Sequence, residues 1–421
     1  QAAKMALAVW GVEILARSEA KEILRRNGHT VPPQFAGSSQ ARAFVRSIGL
    51  DKSYAGFPGL DRDKHIEVSP RIDSVELHDY QKVVYNKMRE HFRARTTDKS
   101  GWRALLYMPT GAGKTRVTVQ SIVDSLNDNE FRHPRIIWIA QSDELCEQAV
   151  QTFQDVWRSA GLSGILSIER LWGSNEAVAE EFDDECAAQV VVCTYQKLAA
   201  NISGTAWHAE YEWLMDSGLV VIDEAHSAAG SAFSDILTAL GFVRDRAKDP
   251  MPLIGLTATP KKRIKNRFGR MIGIDLPEGV SDFEHLRTNG VLSNVRHEEI
   301  DGILIEAGDS RPNPRQPWLG KTYDKQFESS EERNRAIIDH ICSQANRDDS
   351  LILVFAASVP HAQILAALLA QRGISAAAVS ADTPRRLRHH YVKEFAKGRI
   401  KVLTNFGVLT QGFDNPKVNV V

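Results

Sequence analysis

Cysteine is scarce in this chain: four in 421 residues, at Cys146, Cys186, Cys193 and Cys342, with no Cys-x-x-Cys pair. That scatter argues against a zinc site or a disulfide framework and points to a reducing, cytoplasmic setting. Long apolar runs are missing as well. No stretch reaches the roughly 18 residues needed to span a bilayer, and no basic start with an apolar core marks a secretory signal. No membrane partner is therefore expected. Charge of one sign is not in excess, since 52 Lys and Arg face 53 Asp and Glu for a net charge of -1. The chain as a whole is not a basic coat for nucleic acid, and any such binding must come from local patches. No internal repeat or low-complexity tract interrupts it. The first residue is Gln rather than Met, from which a missing or processed N-terminus is expected.

What is present is ordinary for a globular protein: 43% apolar and 25% charged residues, over a length that suits two or three domains. Residues 1–70 stand apart. "MALAVWGVEILARSEAKEILRRNG" has apolar residues at helical spacing and an Asn-Gly stop, and "SQARAFVRSIGL" reads as a shorter helix. "YAGFPGLDRDKHIEVSPRID" reads as a Gly/Pro-rich connector. From about residue 76 to 275 the apolar runs "RALLYM", "RIIWIA", "QVVVCTY", "LVVIDEA" and "PLIGLTAT" alternate with helical stretches. Near-continuous apolar strands between helices indicate a parallel sheet covered on both faces. A second alternating block, helix-strand-helix-strand-helix-strand, runs from "ESSEERNRAIIDHICSQA" to "IKVLTNF". The expected fold class is α/β: two parallel-sheet domains in tandem, residues 71–290 and 291–421, preceded by a small, mainly helical accessory region, residues 1–70.

"YMPTGAGKTR" follows an expected strand and opens an expected helix. Gly111 and Gly113 allow the backbone to turn so that its N–H groups face phosphate oxygens. The helix N-terminus adds favourable partial charge. Lys114 would reach the β- and γ-phosphates of ATP, and the Thr115 hydroxyl would hold Mg²⁺. About 110 residues on, the strand in "VVIDEAH" delivers Asp223 and Glu224. Asp223 would bind Mg²⁺, and Glu224 would orient and deprotonate the attacking water. Each motif alone could be a βα turn or an acidic strand cap. Together, in this order, they point to a nucleotide site.

These motifs and their neighbours resemble the superfamily 2 helicases and translocases over roughly residues 76–421. "LHDYQ", "GLTATP" and "VLTQGFDNP" look most like the XPB-type DNA helicases and the motor subunits of restriction systems. The resemblance implies two RecA-like domains with ATP in the cleft between them and nucleic acid across their top. It implies that Gln81 reads adenine, and that Gly412 and Asp414 face the ATP cleft. It makes Ser142, Thr194, Thr404 and Thr410 contacts to the nucleic-acid strand. Ser142 and Thr194 could equally be helix caps. His226, Thr257 and Thr259 would couple the ATP site to the nucleic-acid surface.

The implied activity is an ATP-driven helicase or translocase, with DNA favoured over RNA as its track. A restriction or anti-phage complex is one setting, with a partner protein bound through residues 1–70. The alternatives are an ATP-switched scaffold without unwinding and an RNA helicase. The motif carrying the γ-phosphate arginines would lie after residue 421, so the chain is expected to be part of something longer. Two stretches stay outside the resemblance. "KKRIKNRFGR" carries six positive charges; it reads either as a phosphate contact or, preferred, as a solvated face. "LDRDKHIEV" holds acids and a Lys, but its place in a connector disfavours a nuclease.

Overall fold

The computed structural model describes residues 5, 8–50, 52–56, 64–69, 76–93, 102–159, 164–176, 186–203, 206–227, 231–242, 249–276, 279–300, 330–347, 349–409, 415 and 417–421. The chain divides into two compact units, Arg62–Val295 and a second assembled from Gln1–Asp61 with Arg296–Val421.

The N-terminal piece holds α1 (Ser18–Arg26) and α2 (Ser39–Ser47). The single helix expected up to Asn27 is broken. Gly11 has φ 65°, in the left-handed region, and opens a 3₁₀ turn over Gly11–Ala16. Arg17 then adopts extended backbone before α1. Neither conformation can continue a right-handed α-helix. Ser38 caps α2, its Oγ accepting from the Ala41 N–H at 3.1 Å. Leu15, Phe35, Ala41, Phe44, Val45 and Ala55 form a small core of their own. The start of the segment rests elsewhere in its unit: Ala8 packs with Ala366, Ala370 and Ala378, and Gly11 lies against Tyr391 and Leu387.

The unit Arg62–Val295 is built on β1 (His65–Val68), β2 (Arg103–Tyr107), β3 (Arg135–Ala140), β4 (Ile165–Leu171), β5 (Cys186–Thr194), β6 (Leu219–Ile222), β7 (Leu253–Thr257) and β8 (Arg270–Gly273). Its helices are α3 (Asp79–Arg93), α4 (Lys114–Asn127), α5 (Asp143–Ser159), α6 (Tyr195–Ala199), α7 (Ser231–Ala239), α8 (Lys262–Phe268) and α9 (Asp282–Thr288). The eight strands form one sheet in the order β1-β4-β5-β3-β6-β7-β2-β8. All neighbours are parallel except β1, which runs antiparallel to β4.

The five strands expected from sequence are its middle. β4 and β8 flank them, and β1 occupies part of the expected connector. These three were hidden because charged residues interrupt "HIEV" and "ILSIERL", and "RMIG" is four residues ending in Gly. Both faces are buried, as the apolar runs require. Ile136 and Trp138 face one core and Ile137 and Ile139 the other, the period of two that a strand imposes.

The second unit contains α10 (Glu331–Ala345), β9 (Ile352–Phe355), α11 (Val359–Gln371), β10 (Ala376–Val379), α12 (Arg385–Ala396) and β11 (Val402–Asn405). Its parallel sheet has the order β9-β11-β10, and Ile352 makes a further parallel bridge to Val420. The expected alternation is present element by element. Among the described residues no helix is long and apolar enough to cross a membrane.

Candidate active site

β2 ends at Tyr107, and the chain turns into α4 within six residues. Gly111 and Gly113 have φ 79° and 82°, which glycine adopts without steric penalty. A Cβ on Gly113 would also collide with Gln81 Nε2. Gly113 is the N-cap of α4 and offers no side-chain hydrogen bond, so no capping oxygen claims the first-turn N–H groups. They remain available to an anion. Lys114 is buried and its ammonium folds back over the turn, donating to Met108 O at 3.3 Å and Pro109 O at 3.4 Å. Thr115 is half-buried in the same turn.

β6 ends at Ile222 and delivers the acids. The Asp223 N–H donates to Ile139 O at 2.8 Å, which fixes the residue to the neighbouring strand. Glu224 has φ 48°, a left-handed conformation in a non-glycine residue that persists only where its surroundings impose it. Its N–H donates to Asp223 Oδ1 at 2.9 Å. His226 Nδ1 lies 3.2 Å from Glu224 Oε2.

Burial and the Glu224 charge push the Asp223 carboxyl up to about 7, against the opposing pull of the Glu224 N–H and Lys114. Burial lowers the Lys114 ammonium, and Glu224 and Asp223 counter it. The cation and both acids therefore share one weakly solvated field.

The sheet order explains why. β7 lies between β6 and β2, so the acids and the phosphate turn stand two strand intervals apart, about 9–10 Å. Thr257 ends β7 in that gap. Its carbonyl accepts from the Met108 N–H at 3.3 Å, and its Oγ1 accepts from the Thr259 N–H at 3.1 Å. Thr257 is fully buried and Thr259 exposed.

α3 braces the turn from outside. Gln81 Nε2 and Tyr80 Oη both donate to Ala112 O at 3.2 Å, and the His78 N–H donates to Gln81 Oε1 at 3.0 Å. Gln81 keeps one N–H and one lone pair beyond these bonds. Tyr80 was not singled out from the sequence; its only signal is adjacency to Gln81. Arg89 ties α3 to α4, donating to Ser121 O at 3.4 Å and Ser125 Oγ at 2.5 Å and pairing with Asp128 and Glu130.

Residues 74–262 match the type III restriction enzyme res subunit family, and residues 332–421 match the helicase conserved C-terminal domain. The chain belongs to the superfamily 2 helicases. Its relatives include the putative ATP-dependent helicase IRC3 of Saccharomyces cerevisiae, 22% identical over 82% of this chain and 46% of that protein. A 51.5 kDa protein of Lactococcus phage (isolate 7-9) is 27% identical over 48% of this chain and 41% of its own length. The general transcription and DNA repair factor IIH helicase/translocase subunit XPB of Antonospora locustae is 27% identical over 54% of this chain and 29% of its own. The matches thus span less than half of each of these relatives.

The other residues expected to serve this helicase are placed differently. Ser142 follows β3 and Thr194 ends β5 at the same sheet edge, and both are helix caps. Ser142 Oγ accepts from the Leu145 N–H at 3.3 Å and Thr194 Oγ1 from the Lys197 N–H at 3.4 Å. Thr404 is fully buried and donates to Ala362 O at 2.7 Å. Its side chain ties β11 to α11, in place of the expected strand contact. Thr410, Gly412 and Asp414 lie outside the described residues. The described cysteines form no disulfide. In the stretch weighed as a nuclease, His65 pairs with Glu169 and Glu67 on an edge strand, and no metal-holding group of three ligands occurs among the described residues.

Proposed function

We propose that this helicase is an ATP-driven motor on DNA that translocates along or unwinds its track. One observation carries the reading: Lys114, at the close of the turn that follows β2, and the Asp223–Glu224 pair, which follows β6, stand on either side of the strand that ends in Thr257. The donor set suits a magnesium nucleoside triphosphate. It combines an ammonium, a half-buried hydroxyl, open helix amides and a buried carboxyl that burial and the Glu224 charge push up to about 7. Bound there, Mg²⁺ would neutralise phosphate charge between Thr115 and Asp223.

The protein groups do the rest. The N–H groups of the turn and Lys114 hold the phosphates. Glu224, aimed by its left-handed backbone and by His226, takes a proton from water. Thr257, bonded to the phosphate turn at one side and to Thr259 at the other, carries displacement of that turn toward the exposed surface. Gln81 contributes its remaining N–H and lone pair to the adenine edge. DNA is preferred over RNA from the restriction family match and from the DNA repair role in the name of the XPB relative. A restriction or anti-phage complex, a reducing cytoplasmic setting and a partner on residues 1–70 complete the proposal.

The test is ATP hydrolysis with and without single-stranded DNA, duplex DNA and RNA, beside strand displacement. Lys114→Ala should reduce stimulated turnover about 100-fold or more. Glu224→Gln should do so with nucleotide affinity retained. Stimulation without displacement identifies a translocase, and stimulation by RNA alone reassigns the track. Turnover undiminished in both variants would sink the reading.

A further inference from the structure

Helix α8 carries a charge pattern that its own fold does not explain. Residues 261–270 hold six Lys and Arg and no acid, in a chain whose net charge is -1. One face is fixed in the core: Ile264 and Phe268 are buried, and a Cβ on Gly255 would lie 2.6 Å from the Phe268 ring. That leaves Lys261, Lys262, Arg263, Lys265 and Arg270 exposed. No ion pair among the described residues includes any of these five.

The arrangement works against the helix. Lys261 and Lys265, and Arg263 and Arg267, are like charges at i,i+4 spacing, which destabilises. Arg263 and Arg103 add to burial in lowering the Arg267 guanidinium. Lys262 and Arg263 occupy the first turn, where the helix dipole favours anions, and no acid is present there. Unneutralised charge of this kind is relieved by an external polyanion.

Its location is specific. The Lys261 N–H donates to Thr259 O at 2.9 Å, and the Ile264 and Lys265 N–H groups donate to Lys261 O. The basic helix therefore grows directly from the turn that links β7 to the phosphate site. Apart from its cations, α8 exposes only Asn266. A protein partner would need an apolar or aromatic anchor, and α8 offers none. A phosphodiester backbone needs only charge and reach.

We propose that the exposed cations of α8 bind the phosphate backbone of the nucleic acid on which this protein acts, outside the helicase motifs. This rests on the motor reading above. The contact is sequence-independent and holds the track against the element that joins the ATP site to the surface.

The experiment measures affinity for a labelled duplex and a labelled single strand across a salt series. It uses the parent chain and the triple variant Lys262→Gln, Arg263→Gln, Lys265→Gln. A control triple, Arg347→Gln, Lys393→Gln, Lys397→Gln, removes equal charge from exposed positions of the other unit. The α8 triple is expected to bind duplex about 10- to 100-fold more weakly near 0.1 M salt, with a log–log salt slope smaller by about 2–3. Its melting temperature should match or exceed the parent's, because like-charge pairs are gone. Unchanged affinity and slope would overturn the proposal, as would an equal loss in the control triple. A clearly lower melting temperature would also overturn it, since the cations would then serve the helix itself. If the parent bound no nucleic acid at any salt, the motor reading would fail as well.

Discussion

Three helices of the same unit begin at the same edge of the same sheet, yet they begin differently. α5 and α6 start under Ser142 and Thr194, whose oxygens occupy a first-turn N–H. α4 starts under Gly113, which has no side chain to give. A capped start is self-sufficient, worth about 1 kcal/mol of local stability. An uncapped one gives up that stability and keeps its amides for a ligand. Helices that look alike in the apolar pattern of the sequence are thus separated by one residue each, into two that steady the sheet and one that is open to phosphate.

The sharpest way to break this contrast is to give α4 a side chain. Gly113→Ala places a methyl group at φ 82° and against Gln81 Nε2. Nucleotide affinity should fall about 100-fold, with about 1–3 kcal/mol of stability lost to backbone strain and crowding. A fluorescent ATP analogue and thermal melts would read both. Adding Gln81→Ala should restore only part of the stability, because it removes the collision and leaves the backbone strain, and it should not restore affinity, because the adenine contact goes with it. Full restoration would show that strain at this residue is unimportant.

A second effect concerns the acid opposite the open turn. The folded-state pKa of Asp223 is raised from 3.8 to about 7. The native carboxyl therefore keeps a proton that the unfolded chain has released between those values. Native stability declines as pH rises from about 4 to 7 and stays lower above that range. Asp223→Asn removes this dependence. The variant should match the parent near pH 4 and exceed it by a few kcal/mol at pH 8, on the order of 1.4 kcal/mol for each pH unit separating the folded and unfolded pKa values. Melting curves across the range decide the matter; a constant gap between the two proteins would contradict the burial argument.

The smallest effect tests the capped starts. Ser142→Ala should lose about 1 kcal/mol of stability, whereas Ser142→Asp should keep it, because aspartate caps a helix as well as serine does. If the Ser142 hydroxyl also met a nucleic-acid phosphate, Ser142→Asp would weaken DNA binding while the melting temperature held. A filter-binding titration beside the melt separates the two roles.

The phosphate turn and the acid pair were legible in the sequence because each depends on local chemistry. Glycines at positive φ, a lysine opening a helix and acids closing an apolar strand leave their mark within a few residues. The middle strands were legible for the same reason. Thr404 was not, because β11 lies between two other strands under covered faces. In such a strand both side-chain directions lead inward, so residue parity does not tell core from surface. The double role open to Ser142 and Thr194 could be narrowed only by the bond each hydroxyl makes. β1 escaped notice because its pairing with β4 joins residues about a hundred positions apart, and a connector rich in turn formers carries no trace of it.

The seat of Gly11 against Tyr391 and Leu387 bears on the order of assembly. The unit that contains both is made of the first and last stretches of this chain, with the eight-stranded sheet inserted between them. On the ribosome, the inserted sheet can reach its full complement of strands before α12, against which Gly11 lies, has been made. The stretch around Gly11 is made well before α12 and must wait for it before it can settle. Closing so long a loop carries an entropy cost that grows only slowly with length, but it delays the contact. The eight-stranded unit should therefore become protease-resistant well before the stretch around Gly11 does.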